Sequence, residues 1–188
     1  MLFRSVWNEA CENVVLRFYD RLEESFKDNE IMINNERWGA HRTDSQYVNT
    51  AVFWFYPERH REEGFGYVST LFYQRSKFKL PSLNLEVAWY YDDEKENEKY
   101  KKKERECEKF FKSKGNNLRT YKASYYHEEI FGKDYTQKLE GENAFAEWII
   151  SQGENAVANF IEILKYFISL PPIQKAMSEI DSFTKRVK

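Results

Sequence analysis

Three runs of aromatic and β-branched residues between positions 47 and 91 constrain the fold of this chain most. They are 47–56 (YVNTAVFWFY), 65–73 (FGYVSTLFY) and 83–91 (LNLEVAWYY). Residues of these types favour β-strands, and the charged stretch PERHREEG between the first two runs is typical of a hairpin loop. We therefore predict three strands that follow one another in an antiparallel meander.

The first run contains four consecutive large aromatic residues, Phe53, Trp54, Phe55 and Tyr56. Successive side chains of a strand point to opposite faces of the sheet, so these four must occupy both faces. Either helices cover both sides of the sheet, or one face presents an aromatic surface to a partner. Both alternatives remain open at this point.

Helical and turn patterns precede the first run. Apolar residues recur every three or four positions from Ser5 to Lys27, which predicts an amphipathic helix. A short strand is predicted over 31–33. A polar loop is predicted from Arg42 to Gln46, because Asp and Ser in this stretch are turn-prone.

The second half of the chain is predicted to be mainly helical. The segment 94–114 is rich in charged helix formers and ends before Gly115, and 118–126 alternates like a strand. Beyond it, apolar helical stripes are interrupted by Gly153, and two prolines at 171 and 172 begin a last helix.

These elements predict an α+β fold in one domain spanning residues 1–188, a length that suffices for one hydrophobic core. Its centre is a four- to five-stranded, largely antiparallel or mixed sheet, made of the meander 47–91 and a strand near 118–126. An N-terminal helix, the long charged helix 94–114 and C-terminal helices flank this sheet.

Charge and cysteine usage favour a cytoplasmic protein. The chain carries 29 Lys and Arg against 31 Asp and Glu, so no overall field attracts nucleic acid or an anionic membrane. Cys11 and Cys107 lie far apart without metal-ligand spacing, which favours reduced thiols and neither a disulfide nor a zinc site. Arg4, Glu9 and Glu12 interrupt the apolar start, so no signal peptide, membrane span or membrane partner is expected.

The order helix, three-stranded meander, long helix, strand, helix over Ser5 to Tyr126 resembles the core of restriction-endonuclease-like proteins, the family named for its PD…(D/E)xK motif. That resemblance implies a scaffold whose second core strand begins with a metal-binding Asp and whose third carries an acid two residues before a Lys. The corresponding places here read EGFGYV and LEVAW. Glu86 matches the acid, but Ala88 replaces the Lys and no Asp opens the preceding strand, so the catalytic motif is broken.

A carboxylate cluster is the sharpest catalytic hypothesis. Glu86, with Glu63 and Glu12 brought near by folding, could hold Mg²⁺ for phosphodiester hydrolysis, and no other cofactor is expected. The alternative is that Glu86 is only the polar outward residue of a half-buried strand.

A basic segment gives a third hypothesis. Residues 99–122 carry ten Lys or Arg and three Glu, a local excess that attracts phosphates if the cations share a face. The hairpin-like stretch QRSKFK interleaves an aromatic with cations, as in single-strand binders. The candidate nucleic-acid-binding residues are Arg75, Lys77, Phe78, Lys79, Lys102, Lys109 and Arg119. The alternative is a solvated helix on which Glu and Lys pair at i,i+4 spacing.

The broken motif and the excess of aromatic residues favour a non-enzymatic protein-binding or accessory protein, with a protein partner or self-association. An LNLEV strand runs into a charged helix, and the chain ends in a Trp-containing amphipathic helix. In these features the sequence resembles uncharacterised small domains found beside restriction and defence genes, which implies a phage or host-defence setting on a nuclease-like scaffold. A metal-dependent nuclease around Glu86 and a nucleic-acid binder using 99–122 are the alternatives.

Overall fold

The computed structural model of the chain has an α+β fold built from antiparallel strands and helices. The described residues are 2–28, 30–45, 50–58, 65–69, 80, 82–89, 105–106, 109–110, 112–113, 123–125, 127–134 and 143–187. The strands are β1 (Ile31–Ile33), β2 (Glu36–Ser45), β3 (Thr50–Pro57), β4 (Phe65–Ser69), β5 (Leu83–Trp89) and β6 (Ala123–Tyr125). The helices are α1 (Leu2–Asp28), α2 (His127–Ile130), α3 (Ala144–Gln152), α4 (Ala156–Ser169) and α5 (Pro171–Val187), with a 3₁₀ turn at Gly153–Asn155.

Helix α1 confirms the amphipathic pattern read from the sequence. Cys11, Val15, Phe18, Leu22 and Phe26 lie along one stripe and are all buried. Their spacing of three and four residues places them on the face that packs against β2, α3 and α4. Burial of this apolar stripe, more than helix propensity, is what stabilises a surface helix of this kind.

The first sheet has the order β1-β2-β3, with antiparallel pairing throughout. Asn34 and Asn35, with φ of 53° and 61°, connect β1 to β2. Two consecutive residues with positive φ form the type of two-residue turn whose twist matches that of the flanking strands, and Asn tolerates this conformation.

The loop predicted from Arg42 to Gln46 was wrong where the structure describes it. Residues 42–45 belong to β2 and pair with β3, from Arg42 opposite Phe53 to Ser45 opposite Thr50, while Gln46 lies outside the described residues. Polar, turn-prone residues form a strand here because β3 supplies a long-range hydrogen-bonding partner that local propensity does not register.

The second sheet has the order β4-β5-β6 and is also antiparallel. Strands were predicted in all three places, and the described residues of each predicted run are in strands; 70–73, 90–91, 118–122 and 126 lie outside the described residues. Leu83 and Leu85 in β5 are buried, as their alternation predicted. β4 also lies next to β3, so the two three-stranded sheets are neighbours. Among the described strands, however, β3 is hydrogen-bonded to β2 and not to β4.

An aromatic core joins α1 to the first sheet and to the C-terminal helices. The Phe18 ring meets Phe145 of α3 edge-on at 5.4 Å and Phe160 of α4 at 5.6 Å between ring centroids. On the sheet side, Tyr19 lies 5.0 Å from Phe53. Aromatic pairs in tilted and edge-on arrangements contribute about 0.5–1.5 kcal/mol each beyond the area that they bury.

Polar side-chain contacts also join α1 to other elements of the fold. Arg42 of β2 donates from Nη1 to Asp20 Oδ1 at 2.8 Å, and its guanidinium lies 5.8 Å from the centre of the Tyr19 ring. At the other end, Nδ2 of the buried Asn143 donates to Asn8 Oδ1 at 3.1 Å. These contacts tie α1 to β2 and to the residue that precedes α3.

The C-terminal helices break where the sequence predicted. Gly153 ends α3 with φ 59° and ψ −133°, and its N–H donates to the carbonyls of Ile149 and Ile150. Pro171 begins α5, which bends away from the preceding helices by 70°. In the part of the chain that the structure describes, no single helix is long and apolar enough to cross a membrane.

Some sequence predictions fall largely outside the described residues. Of the helix 94–114, only 105–106, 109–110 and 112–113 are described, and these residues are helical. Of the strand near 118–126, the described part is β6. The assignment of all 188 residues to one domain stays a prediction.

Candidate functional site

The three acids of the nuclease hypothesis are not brought together by the described structure. Glu12 lies half-buried on α1, Glu86 lies in β5 opposite Val68, and Glu63 is outside the described residues. Among the residues that are described, no three His, Cys, Asp or Glu side chains cluster closely enough to hold a metal ion. The carboxylate site therefore stays a prediction.

The nucleic-acid hypothesis has one described member. Lys109 is helical and exposed. The other six predicted contacts lie outside the described residues, namely Arg75, Lys77, Phe78, Lys79, Lys102 and Arg119. Whether these cations share a face stays a prediction.

The four consecutive aromatic residues of β3 divide between two faces of the first sheet, as predicted. Phe53 and Phe55 are 0% exposed and pack against the helices. Trp54 and Tyr56 alternate with them on the opposite face and are half-buried. The side of the sheet away from the α1 core therefore carries two large aromatic residues that keep part of their surface accessible.

Strand register shows which residues share that side. His41 lies opposite Trp54, Gly39 opposite Tyr56, and Met32 opposite Arg37. Residues directly opposite one another in an antiparallel pair project to the same face. We call this side the outer face. Its members are Met32, Arg37, Gly39, His41, Trp54, Tyr56 and Glu58.

Gly39 marks a crowded point of the outer face. A Cβ atom placed there would lie 2.8 Å from Tyr56 Cε2 and 2.7 Å from Glu58 Oε1. The Tyr56 ring therefore crosses directly over β2, and it can do so because Gly39 has no side chain. An aromatic ring that covers a glycine on the neighbouring strand is a recognised way to stabilise a sheet at such a position.

The same two distances place an acidic group beside the aromatic ring. Both Glu58 Oε1 and Tyr56 Cε2 lie within 3 Å of one point above Gly39. Glu58 is half-buried, so the carboxylate is part of the surface formed by the rings. The outer face thus brings an aromatic ring and a carboxylate together above Gly39.

The rest of the outer face is exposed and carries positive charge at one end. Met32 is 47% exposed, and His41 and Arg37 are exposed as well. Arg37 Nη1 lies 3.5 Å from Glu30 Oε1, an ion pair whose side chains are 51% and 74% exposed. A pair so open to solvent contributes little to stability and can exchange partners.

Cys11, the cysteine that the structure describes, offers no reactive thiol. It is 1% exposed, and burial raises the pKa of the thiol, with a smaller contribution from the nearby Glu147 carboxylate. Since the thiolate is the reactive form, Cys11 is a core residue and not a nucleophile.

Sequence reasoning found only the aromatic part of the outer face. The aromatic run signalled Trp54 and Tyr56, whereas Gly39 and His41 were missed. Their strand was not recognised because a strand of mixed polar residues has no distinctive composition. A signal was nonetheless present, since the isolated Gly39 stands among alternating residues and marks a close approach of another group.

The outer face can form contacts but carries no recognisable catalytic arrangement in the described part of the chain. No protein-family model, no curated protein and no solved structure matches this chain.

Proposed function

We propose that this protein is a non-enzymatic protein-binding or accessory protein, and that it contacts its partner through the outer face. The observation that supports this proposal is the division of the β3 aromatics. Phe53 and Phe55 complete the core, whereas Trp54 and Tyr56 lie on the opposite side with accessible surface. The phage or host-defence setting rests on the sequence resemblance alone.

Physical chemistry favours such a face as a protein contact. Trp, Tyr and Arg are the residues that contribute most to protein–protein binding energy when a partner desolvates them. Trp54, Tyr56 and Arg37 share the outer face, and Met32 adds a flexible apolar side chain beside them. Because the backbone of β2 and β3 is fixed by pairing, these side chains are presented on a rigid platform.

We also propose that the platform is larger than one three-stranded sheet. β4 lies next to β3. This proximity supports the prediction that the two three-stranded sheets form one sheet, joined by pairing between β3 and β4. Backbone NOEs between β3 and β4 amides would test the joined sheet, and slow solvent exchange of both strands is the expected companion result.

A photo-crosslinking experiment tests the proposed function. A photoreactive phenylalanine analogue replaces Met32 on the outer face, and in a matched variant it replaces Tyr166 on α4. Their exposures are nearly equal, at 47% and 52%, but they lie on different elements. After irradiation in cells that produce the protein, we expect a discrete adduct at position 32 and none at position 166. Equal or absent adducts at both positions contradict the proposal.

The alternative functions are tested with the same purified protein. Cleavage of DNA or RNA with Mg²⁺ or Mn²⁺ that is lost in Glu86→Ala would establish the nuclease alternative. Nucleic-acid binding whose affinity falls steeply with salt would establish the basic-segment alternative. The proposed function predicts neither result.

A further inference from the structure

We infer that α1 is a self-association surface, on which the α1 helices of two copies of this chain pack antiparallel about a two-fold axis. In this arrangement Trp7 of each copy contacts Arg17 of the other. The inference goes beyond the proposed function, because α1 lies on the opposite side of the first sheet from the outer face.

A second stripe of residues runs along α1 beside the buried one. It consists of Trp7, Ala10, Val14 and Arg17. Their steps of three, four and three residues place them on one face of the helix, and this seven-residue repeat is the spacing with which one helix packs along another. Trp7 is 51% exposed, Ala10 and Arg17 are exposed, and Val14 is half-buried. The second stripe is therefore open to a partner along most of its length.

The N-terminal part of the second stripe is apolar. Five large apolar side chains of the described residues are exposed, and two of them, Val6 and Trp7, are consecutive in α1. The other three lie on three different elements, β1, α3 and α4. Trp is among the residues that contribute most to binding energy when a partner desolvates them, so this end of α1 is suited to a protein contact.

The other end of the second stripe carries a cation that the chain leaves uncompensated. Within the described structure, the Arg17 side chain forms no hydrogen bond and no ion pair, and the Trp7 ring has no aromatic or cationic neighbour. The two residues lie about 15 Å apart along the helix, whereas a cation must lie within about 6 Å of a ring to be attracted to it. Trp7 and Arg17 therefore cannot contact one another within one chain, although each suits the other.

A two-fold axis brings these groups together. When the axis crosses the stripe midway between positions 7 and 17, an antiparallel second copy places its Arg17 over Trp7 and its Trp7 over Arg17, so the contact forms twice. The planar guanidinium of Arg stacks well on an aromatic ring. The same register sets Ala10 opposite Val14 of the second copy, and the small alanine lets the helices approach closely.

The charge of Arg17 selects the antiparallel direction. A parallel pair would place the two Arg17 side chains together, where like charges repel. In the antiparallel pair each cation meets an aromatic ring instead. The second stripe thus complements itself, which identifies a second copy of this chain as its partner.

The area available sets the strength of the dimer. Stable protein–protein interfaces bury about 1,200–2,000 Å² in total, and the N-terminal part of one helix from each copy supplies less. We therefore expect a reversible dimer with a dissociation constant above about 1 µM. The dimer fraction then depends on protein concentration.

Sedimentation velocity of the full chain over a range of protein concentrations tests the inference. We expect a monomer–dimer equilibrium whose dissociation constant rises about tenfold or more in Trp7→Ala, because each dimer contains the contact twice. Arg17→Ala should raise it about threefold or more. The matched controls are Tyr166→Ala, at a side chain that is 52% exposed on α4, and Arg105→Ala, at another exposed arginine, and both should associate like the wild type.

A mixture of the two variants tests the register. A dimer of Trp7→Ala with itself, or of Arg17→Ala with itself, has lost both contacts between positions 7 and 17. The mixed dimer keeps one of them, between Trp7 of one copy and Arg17 of the other. With one variant isotopically labelled, native mass spectrometry should therefore show mixed dimers above about half of all dimers, which is their statistical share.

A chain that stays monomeric at the highest concentration that can be prepared would overturn the inference, as would a dimer that Trp7→Ala leaves unchanged. A tighter dimer in Arg17→Ala indicates the parallel pair, and a statistical share of mixed dimers excludes the register, so each contradicts it. Unchanged circular dichroism of the dilute variants shows that weaker association is not a loss of folding. If Trp7→Ala does not fold, Trp7→Leu removes the ring and keeps an apolar side chain.

Photo-crosslinking identifies the occupant of the second stripe. The photoreactive analogue at position 7 should give an adduct of twice the mass of the chain. An adduct of another mass shows that a different protein binds there and overturns the inference. Adducts at positions 7 and 32 are measured in separate variants, so self-association through α1 and protein binding through the outer face succeed or fail independently.

Discussion

Gly39→Ala is the substitution whose outcome depends most directly on the outer face. The added methyl would lie 2.8 Å and 3.0 Å from two atoms of the Tyr56 ring and 2.7 Å from Glu58 Oε1. Ordinary contact distances between carbon atoms are about 3.5–4.0 Å, so one of these neighbours must move. The Glu58 carboxylate ends a flexible side chain and moves readily, whereas the Tyr56 ring is rigid and packs over the strand.

The expected free energy follows from two opposing effects. Overpacking of this kind costs about 1–3 kcal/mol. Replacing Gly by Ala within a strand recovers about 0.5–1 kcal/mol of backbone entropy. The net of these effects is a loss of between about 0 and 2.5 kcal/mol in the free energy of unfolding for Gly39→Ala. Each kcal/mol lowers Tm by about 2–4 °C in a chain of this size.

Urea unfolding of a double-mutant cycle with Tyr56→Ala isolates the cause. Once the ring is removed, Gly39→Ala should be neutral or stabilising, so that the two substitutions are coupled by about 1 kcal/mol or more. The urea midpoints of the four proteins in the cycle are compared. This comparison is valid if the slope of the unfolding free energy against urea concentration is the same in all four. If Gly39→Ala destabilises the protein equally in both backgrounds, the Tyr56 ring does not cover Gly39 in the way that the structure indicates.

Three further predictions concern two core residues and the turn at Gly153. Phe53→Ala should lower the free energy of unfolding by about 3–5 kcal/mol, because it empties a fully buried site, and the half-buried Trp54→Ala should lower it less; urea unfolding measures both. Gly153→Ala should cost about 1–3 kcal/mol although no atom crowds the added methyl, since its φ of 59° strains any side chain, and an unchanged Tm would contradict this. The raised pKa of Cys11 means that the folded state favours the protonated thiol. Its contribution to stability is therefore complete below the ordinary pKa of 9.0 and is lost as pH rises through the folded-state value. The free energy of unfolding, measured above pH 9, should show this loss in the variant Cys107→Ser, whose one cysteine is Cys11. The loss should disappear in the double variant Cys107→Ser, Cys11→Ala. In the folded Cys107→Ser variant, the Cys11 thiol should resist alkylation.

The elements that the sequence predicted correctly are those with a strong local period. The stripe of α1 repeats every three or four residues, and the buried pair Leu83 and Leu85 alternates as a strand should. The helix break at Gly153 could be predicted because glycine readily adopts the positive φ that ends the helix there. The position of a helix, a strand or a stop of this kind depends on neighbours in sequence, so it can be inferred without coordinates.

The elements that the sequence missed depend on distant residues. Arg42 to Ser45 read as a polar loop, yet they form a strand because β3 pairs with them and because Arg42 reaches Asp20 on α1. The same pairing, unknown from composition, places Gly39 beneath Tyr56. Sequence reasoning therefore identified the aromatic residues of the candidate site but not the glycine that lets them pack.

By itself, the sequence determined the amphipathic character of α1, the strand composition of β3 and β5, and the need for the aromatics of β3 to occupy both faces. Each of these follows from a period of two or of three to four residues along the chain. Only the tertiary structure decided which of those faces meets the helices, because strand register and the packing of α1, α3 and α4 are set by contacts between residues far apart in sequence. That choice buries Phe53 and Phe55, and it leaves Trp54 and Tyr56 on the side that we propose binds a partner.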